Sequence, residues 1–444
     1  MTHLLQRDIA AAVPTVVRGE GIYLYDDTGK RYIDATSGPA VACLGHGDAE
    51  IERAMAAQLA QVAYVTNQFF TTEAAETLAD VLVEGAPEGI ATAWIVCGGS
   101  EAIESALKFA RQYFVEIGEP ERRRFVARRQ SFHGSTLAAL SVGGHAQRRA
   151  TYAPVLFEGA HVSPCYAYRG LEAGESMADY GRRLADELEQ KLLELGPETV
   201  CAFVAETVVG AALGTVPPVE GYFGHVRAVC EKYGVLLILD EIMCGMGRTG
   251  PLHACEAEGI SADMIVVGKG LGAGFQPVGA VLVSARVRDG IAEGSGIVKH
   301  GFTYMAHPVA CAAALAVQRA ISGRDLLANV RRQGEVLRQR LESRFGNNPF
   351  VGDIRGRGLF WSLELVRDRG TKEPFAPSLA LHARIKAEGL ARGLICYPGA
   401  GTADGERGDH VIISPPFIVT EAEIDEIVER LGDTLDAALA SAGA

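Results

Sequence analysis

Six short apolar runs recur along the middle of the chain, at residues 94–97, 124–128, 200–206, 235–240, 264–267 and 279–283. Most lack polar residues at every second position, which predicts strands buried on both faces. Residues 100–114 and 221–233 instead predict helices. Strand and helix alternate in this way from about residue 61 to about residue 320. Such alternation predicts an α/β unit with a mainly parallel sheet and helices on both sides.

The flanking segments read differently. In 21–34, the turn residues Asp27, Thr28 and Gly29 separate two strand-like stretches and predict a hairpin. Beyond about residue 322, two helical stretches surround a strand region at 358–365. A helix at 378–392, a strand at 394–397 and a last helix from Thr420 follow. The expected organisation is a large domain over 61–320 and a smaller α+β domain built from 1–60 and 321–444.

Composition narrows the function classes. With 48% hydrophobic and 22% charged residues the chain has material for a large core. A net charge of −13 argues against general nucleic-acid binding, which relies on clustered cations. The nine cysteines show neither metal nor disulfide spacing. Reduced thiols are expected, with Cys97, Cys201, Cys230, Cys244 and Cys311 as buried packing groups, and no metal site. No apolar run nears the ~20 residues that span a bilayer, and residues 1–14 lack a basic stretch leading into an apolar one. A cytoplasmic protein without membrane contact is expected.

Two of the buried runs end on a reactive side chain. Asp240 closes the run 235–240, and Lys269 follows the run 264–267 within Gly268-Lys269-Gly270. Open α/β sheets deliver such residues to a crevice at the C-terminal ends of the strands, where ligands bind. Alone, a strand-end aspartate is ordinarily a cap or half of an ion pair, and a lysine is ordinarily solvated. Together in one crevice they meet the needs of pyridoxal phosphate. The amine holds the cofactor and moves a proton, and the carboxylate keeps the ring nitrogen protonated. Desolvation is expected to lower the pKa of Lys269.

Further residues fit around this pair. Gly99 and Ser100 lie in a glycine turn that opens a helix, where backbone N–H groups suit a phosphate. Phe132, after a strand, can stack on a flat ring. His133 has no second residue at metal-ligand spacing and joins Phe132 as a cofactor-binding candidate. Glu206 ends its run as Asp240 does, and is a candidate for the hydroxyl side of the cofactor or for a substrate-binding cation. Gly268, Gly270 and Gly272 mimic a dinucleotide turn, but no acidic residue stands where a ribose needs one.

These motifs occur in one order across nearly the whole chain. With them come Leu44-Gly45-His46, Phe132-His133-Gly134, Asp240-Glu241-Ile242, Gly247-Arg248-Thr249-Gly250, Gly301-Phe302-Thr303-Tyr304, His307-Pro308, Gly356-Arg357-Gly358 and Pro415-Pro416. The ordered set resembles the class III aminotransferases of pyridoxal phosphate fold type I. The resemblance implies that Lys269 carries the cofactor and Asp240 holds its ring nitrogen. It implies that Gly99 and Ser100 take the phosphate, and that Phe132 and Ile242 pack on opposite faces of the ring. Thr303 would reach the phosphate of a neighbouring subunit, in a homodimer or a tetramer with sites at the subunit interface. The implied reaction moves an amino group from an amine or ω-amino acid to a keto acid, pyruvate foremost, by ping-pong turnover.

Departures from subfamily patterns point to a branch. Relatives acting on ornithine, acetylornithine and γ-aminobutyrate carry an arginine three residues before the double proline, paired with a glutamate matching Glu206. Here that position is Ile412, and Met243 stands where those relatives tend to have Gln. The chain therefore resembles the ω-amino acid or amine:pyruvate branch. Many members of that branch have a mobile arginine three residues before a Gly-Asp pair, where this chain has Gly405. Arg407 is the adjacent cation and a candidate for a substrate carboxylate. The glycine-rich residues 398–408 predict a mobile loop that tunes access. Decarboxylases, racemases and aminomutases share the scaffold and stay as alternatives, because substrate orientation decides which bond breaks. A non-catalytic binding protein is a more distant alternative that the Asp240 and Lys269 pair disfavours.

Overall fold

The computed structural model of the chain describes residues 3–9 and 12–443. Residues 1–2, 10–11 and 444, all in segments assigned above to the small domain, lie outside them. Seven strands form the main sheet, in the order Ile90–Val96, Gly279–Ser284, Met264–Val267, Leu236–Asp240, Val200–Glu206, Arg124–Arg128 and Ala160–Val162. Neighbours run parallel except at Gly279–Ser284, which is antiparallel to both strands beside it.

Every residue of Val200–Glu206, Leu236–Asp240 and Met264–Val267 is buried, which explains why these runs show no polar alternation. Successive side chains still divide between two cores. Ala202, Val204 and Ile238 share one with Ala106 and Ala110 of helix Gly99–Glu116. Phe203, Ala205 and Leu239 share the other with Leu184 of helix Met177–Leu195 and Phe223 of helix Tyr222–Tyr233. The register places Glu206 opposite Asp240, and Asp240 opposite Val266. Two carboxylates thus stand side by side at the C-terminal edge of the sheet, with Lys269 just beyond the end of the next strand.

Two four-stranded sheets accompany the main one. The first orders Val16–Glu20, Tyr23–Asp26, Arg31–Asp34 and Leu394–Ile395; the second orders Val351–Arg357, Phe360–Leu365, Asp409–Ile413 and Tyr397–Ala400. A third core joins residues from both ends of the chain, among them Ile33, Leu363, Ile413 and Leu431. Helix Pro308–Gly323 gives Ala313, Val317 and Ile321 to this core and Ala310, Cys311 and Ala314 to the main-sheet core. Residue 320, the expected boundary, therefore lies in a helix that both cores share.

Several expected elements differ in detail. The hairpin around Asp27 to Gly29 forms, with the Gly29 N–H donating to the Asp26 carbonyl at 3.0 Å. The strand region at 358–365 is one arm of a second hairpin, Val351–Arg357 with Phe360–Leu365. Glycines and charges in the first arm conceal it. Gly358 makes its turn at φ 58°, and a Cβ there would lie 2.6 Å from the Thr249 backbone. The strand at 394–397 divides at Cys396. Leu394–Ile395 pairs in parallel with Arg31–Asp34, while Tyr397–Ala400 pairs with Asp409–Ile413.

That second pairing changes the picture of the glycine-rich stretch. Residues 401–408 close a hairpin, with Gly401 N–H donating to the Gly408 carbonyl and Ala403 N–H to the Arg407 carbonyl, each at 2.8 Å. Their glycines serve the turn rather than an open loop. All nine cysteines are free; Cys201, Cys230, Cys244 and Cys311 are buried, whereas Cys97 is half-buried. Among the described residues no helix is long and apolar enough to cross a membrane.

Candidate active site

A cavity of about 180 Å³ opens at the C-terminal edge of the main sheet. Gly99, Ser100, Phe132, His133, Gly134 and Glu206 line one part of it, and Val208, Ala211, Asp240, Ile242, Met243 and Lys269 line the rest. Of the candidates drawn from the sequence, only Thr303 and Arg407 are not among these residues.

Asp240 is held from two sides. Its Oδ2 accepts a hydrogen bond from His133 Nδ1 at 2.8 Å, and its Oδ1 accepts one from the Ile242 N–H at 3.0 Å. An ionised carboxylate only accepts, so the proton of this contact belongs to His133 Nδ1. Both side chains are buried, and His133 Nε2 has no hydrogen-bond partner among the described residues. His133 thus fixes the orientation of Asp240 without consuming all its lone pairs. The remaining ones suit a cationic N–H in the cavity.

Lys269 leaves the end of its strand in a tight turn, at φ 43°. Burial pushes its amine down to about 8, against Asp240 and Glu206, which pull it upward. Imine formation with an aldehyde needs the unprotonated amine. In cofactor-free protein, covalent uptake of pyridoxal phosphate is therefore expected to accelerate as pH rises through about 8 and to level off above it. An ordinary lysine would keep accelerating toward about 10.4. Stopped-flow absorbance between pH 6 and 11 distinguishes the two; a rise that continues beyond pH 10 counts against a desolvated Lys269.

Another part of the lining suits an anion. Helix Gly99–Glu116 begins there, and its first backbone bond runs from the Ala102 N–H to the Gly98 carbonyl at 3.0 Å. The N–H groups of Gly99 and Ser100 come before that bond and are available to a phosphate. A Cβ on Gly99 would stand 2.8 Å from Ile242 Cδ1, so the missing side chain lets Ile242 reach the cavity beside the helix start. Ser100 Oγ accepts from the Ser135 N–H at 3.0 Å, which leaves its own proton to donate.

Glu206 ties the walls together. Its Oε1 accepts from the Phe132 N–H at 3.1 Å and its Oε2 from the Gly210 N–H at 2.7 Å. Burial raises its carboxyl above the usual range, with Asp240 adding to the rise and His133 opposing it. No arginine or lysine pairs with it among the described residues. Ile412, fully buried, packs with Val208, Met243, Cys244 and Phe360 on this side of the cavity.

Thr303 is exposed, and its carbonyl accepts from the Tyr64 hydroxyl at 3.0 Å. Arg407 turns back on its own hairpin, donating from Nε to Asp404 Oδ2 at 2.7 Å, with Glu373 at 3.7 Å. Sequence reading alone passed over Val208 and Ala211, small apolar residues with no chemical signal. It also passed over Glu241, which accepts from Thr207 Oγ1 at 2.9 Å and from the Ala254 and Cys255 N–H groups, each at 2.7 Å, anchoring the segment that carries Ile242 and Met243.

Known proteins resemble this chain along nearly its whole length. A model of the class-III aminotransferases matches residues 6–435. An uncharacterised aminotransferase of Schizosaccharomyces pombe is 47% identical over 429 residues, covering 96% of this chain and 94% of that one. A Pseudomonas jessenii ω-transaminase solved in complex with PMP superposes at a TM-score of 0.91 with 36% identity, covering 97% of this chain and 94% of that one. An (S)-enantioselective ω-transaminase from Thermomicrobium roseum superposes at 0.91 with 34% identity, covering 99% and 96%.

Proposed function

The chain belongs to the class III aminotransferases, pyridoxal phosphate enzymes of fold type I, and from that premise we propose that it moves an amino group from an amine or ω-amino acid to a keto acid, pyruvate foremost, in ping-pong turnover. One observation carries the choice of donor. At the position where a carboxylate-gripping arginine would stand, Ile412 is buried in one apolar cluster with Val208 and Met243, which line the cavity, and both Glu206 oxygens are engaged by backbone N–H groups. This side of the pocket suits the uncharged body of an amine.

The residues divide the work as follows. When bound, the cofactor supplies an electron sink for the carbon that bears the amino group. Lys269 Nζ holds the cofactor and, once released by substrate, moves the proton, aided by its lowered pKa. Asp240, steadied by His133, holds the ring nitrogen protonated. Gly99 and Ser100 hold the phosphate, while Phe132 and Ile242 exclude water from the ring faces. Tyr64, Phe69, Phe70 and Tyr304 are exposed aromatic residues on the segments around Thr303. That surface supports a homodimer in which Thr303 completes the partner's phosphate site. Nine free cysteines support a cytoplasmic location.

The test uses purified holoenzyme and the absorption of its cofactor. A carboxylate-free amine is expected to bleach the band, and pyruvate to restore it with one keto acid consumed per amine converted. Release of carbon dioxide without keto-acid consumption would assign decarboxylation instead. Failure of the carboxylate-free amine to bleach the band would contradict the donor assignment, and strong preference for 2-oxoglutarate over pyruvate would contradict the acceptor assignment.

A further inference from the structure

A keto-acid acceptor brings a carboxylate into a cavity whose lining includes no arginine, which directs attention to the cations at its rim. Arg148 is on the short helix Ala146–Ala150. The next residue, Arg149, fastens that helix: its Nη1 donates to the carbonyls of Leu140 at 2.9 Å, Gly143 at 2.6 Å and Ser141. Arg148 makes no ion pair or hydrogen bond among the described residues. Its guanidinium lies instead over the ring of Phe132, 4.4 Å from the centroid. Phe132 is a cavity wall, and a guanidinium held over an aromatic face still has N–H donors to offer another partner. Arg148 is also close enough to Lys269 to help lower its amine pKa.

The neighbouring hairpin closes the same rim. A Cβ on Gly405 would lie 3.6 Å from that of Ala146, and Gln130 Nε2 donates to the carbonyls of Gly401 and Thr402 at 3.1 Å. Arg407 of that hairpin is committed to Asp404. Arg128 is buried and donates to the Glu206 carbonyl. Among the described residues, Arg148 is the guanidinium beside the cavity whose donors are unspent.

We propose that Arg148 binds the carboxylate of the keto-acid acceptor, and of ω-amino acid donors, at the Phe132 side of the rim. Amines without a carboxylate enter past it against the apolar lining of Val208, Ala211 and Met243. The assignment rests on the aminotransferase reading above and specifies how one pocket takes both charged and uncharged partners.

The test compares two half-reactions of holoenzyme, followed by cofactor absorption: amino transfer from isopropylamine, and return of the amino group to pyruvate. In Arg148→Met the rate constant with pyruvate is expected to fall about 10- to 100-fold, the range of a charge-assisted hydrogen bond, and at least tenfold more than that with isopropylamine. Arg148→Lys should recover part of the loss, and Arg407→Met should keep the wild-type ratio of the two rates. Equal losses in both half-reactions would reduce Arg148 to a prop for Phe132. A pyruvate-specific loss in Arg407→Met would move the contact there. Either result overturns the proposal. Propionate, which cannot react, is titrated in parallel against the cofactor band. Weaker propionate binding in Arg148→Met supports the contact even if no keto acid is turned over, and in that event only the functional reading fails; unchanged propionate binding counts against Arg148.

Discussion

Replacing Lys269 with alanine is expected to lower kcat by about 10⁴-fold, because both the covalent hold and the proton carrier disappear together. The substitution removes a side chain that lines the cavity, so the remaining walls should still receive pyridoxal phosphate. Gly99, Ser100 and Asp240 are untouched and are expected to bind it without a covalent link. Two measurements check this. Steady-state assays with a competent amine give the loss in kcat, and borohydride treatment should leave the cofactor extractable by denaturation. A small exogenous amine such as methylamine should restore some turnover by carrying the proton in place of Nζ. Turnover within tenfold of wild type would refute the assigned role.

Asp240→Asn is expected to lower kcat by about 10²- to 10³-fold, the usual loss when one preorganised electrostatic group is removed from a water-excluded site. The replacement is nearly isosteric. Its amide oxygen can still accept one of the two hydrogen bonds that reach the carboxylate, from His133 Nδ1 and from the Ile242 N–H. The change therefore removes charge more than shape. Without that charge the ring nitrogen is no longer held protonated, and proton loss from substrate slows. Single-turnover kinetics with a deuterated donor should show a larger share of the rate in the proton-transfer step. A variant that keeps wild-type kcat would show that the ring is protonated by some other means.

The legible part of the sequence was the part governed by burial. Val200–Glu206, Leu236–Asp240 and Met264–Val267 are buried throughout, so their runs were continuous and their polar endings stood out. Lys269, Asp240 and Glu206 emerged as site candidates for that reason. Which strands lie side by side was not written there. The pairing of Glu206 with Asp240 is a matter of register between segments that 29 residues separate.

Short-range polar geometry was less visible. His133 carried no signal beyond following Phe132, yet it supplies the hydrogen bond that orients Asp240. The hairpin of Val351–Arg357 was hidden by glycines and charges that a half-buried strand tolerates. Arg407 drew notice by its place beside Gly408 and Asp409, but its charge is spent on Asp404, three residues away. Arg148 carries no such signal in the sequence, although its guanidinium lies over a cavity wall. Spacing along the chain ranked these two arginines in the reverse of the order that side-chain partners give.

One cofactor ring is expected to be held between Asp240 and Lys269. The most direct measurement is borohydride reduction of the holoenzyme followed by peptide mass mapping. The account predicts a pyridoxyl group on Lys269, in one copy per chain, and its loss from holoenzyme first treated with a competent amine donor. A pyridoxyl group on any other lysine, or a protein that binds pyridoxal phosphate without reducible attachment, would contradict it.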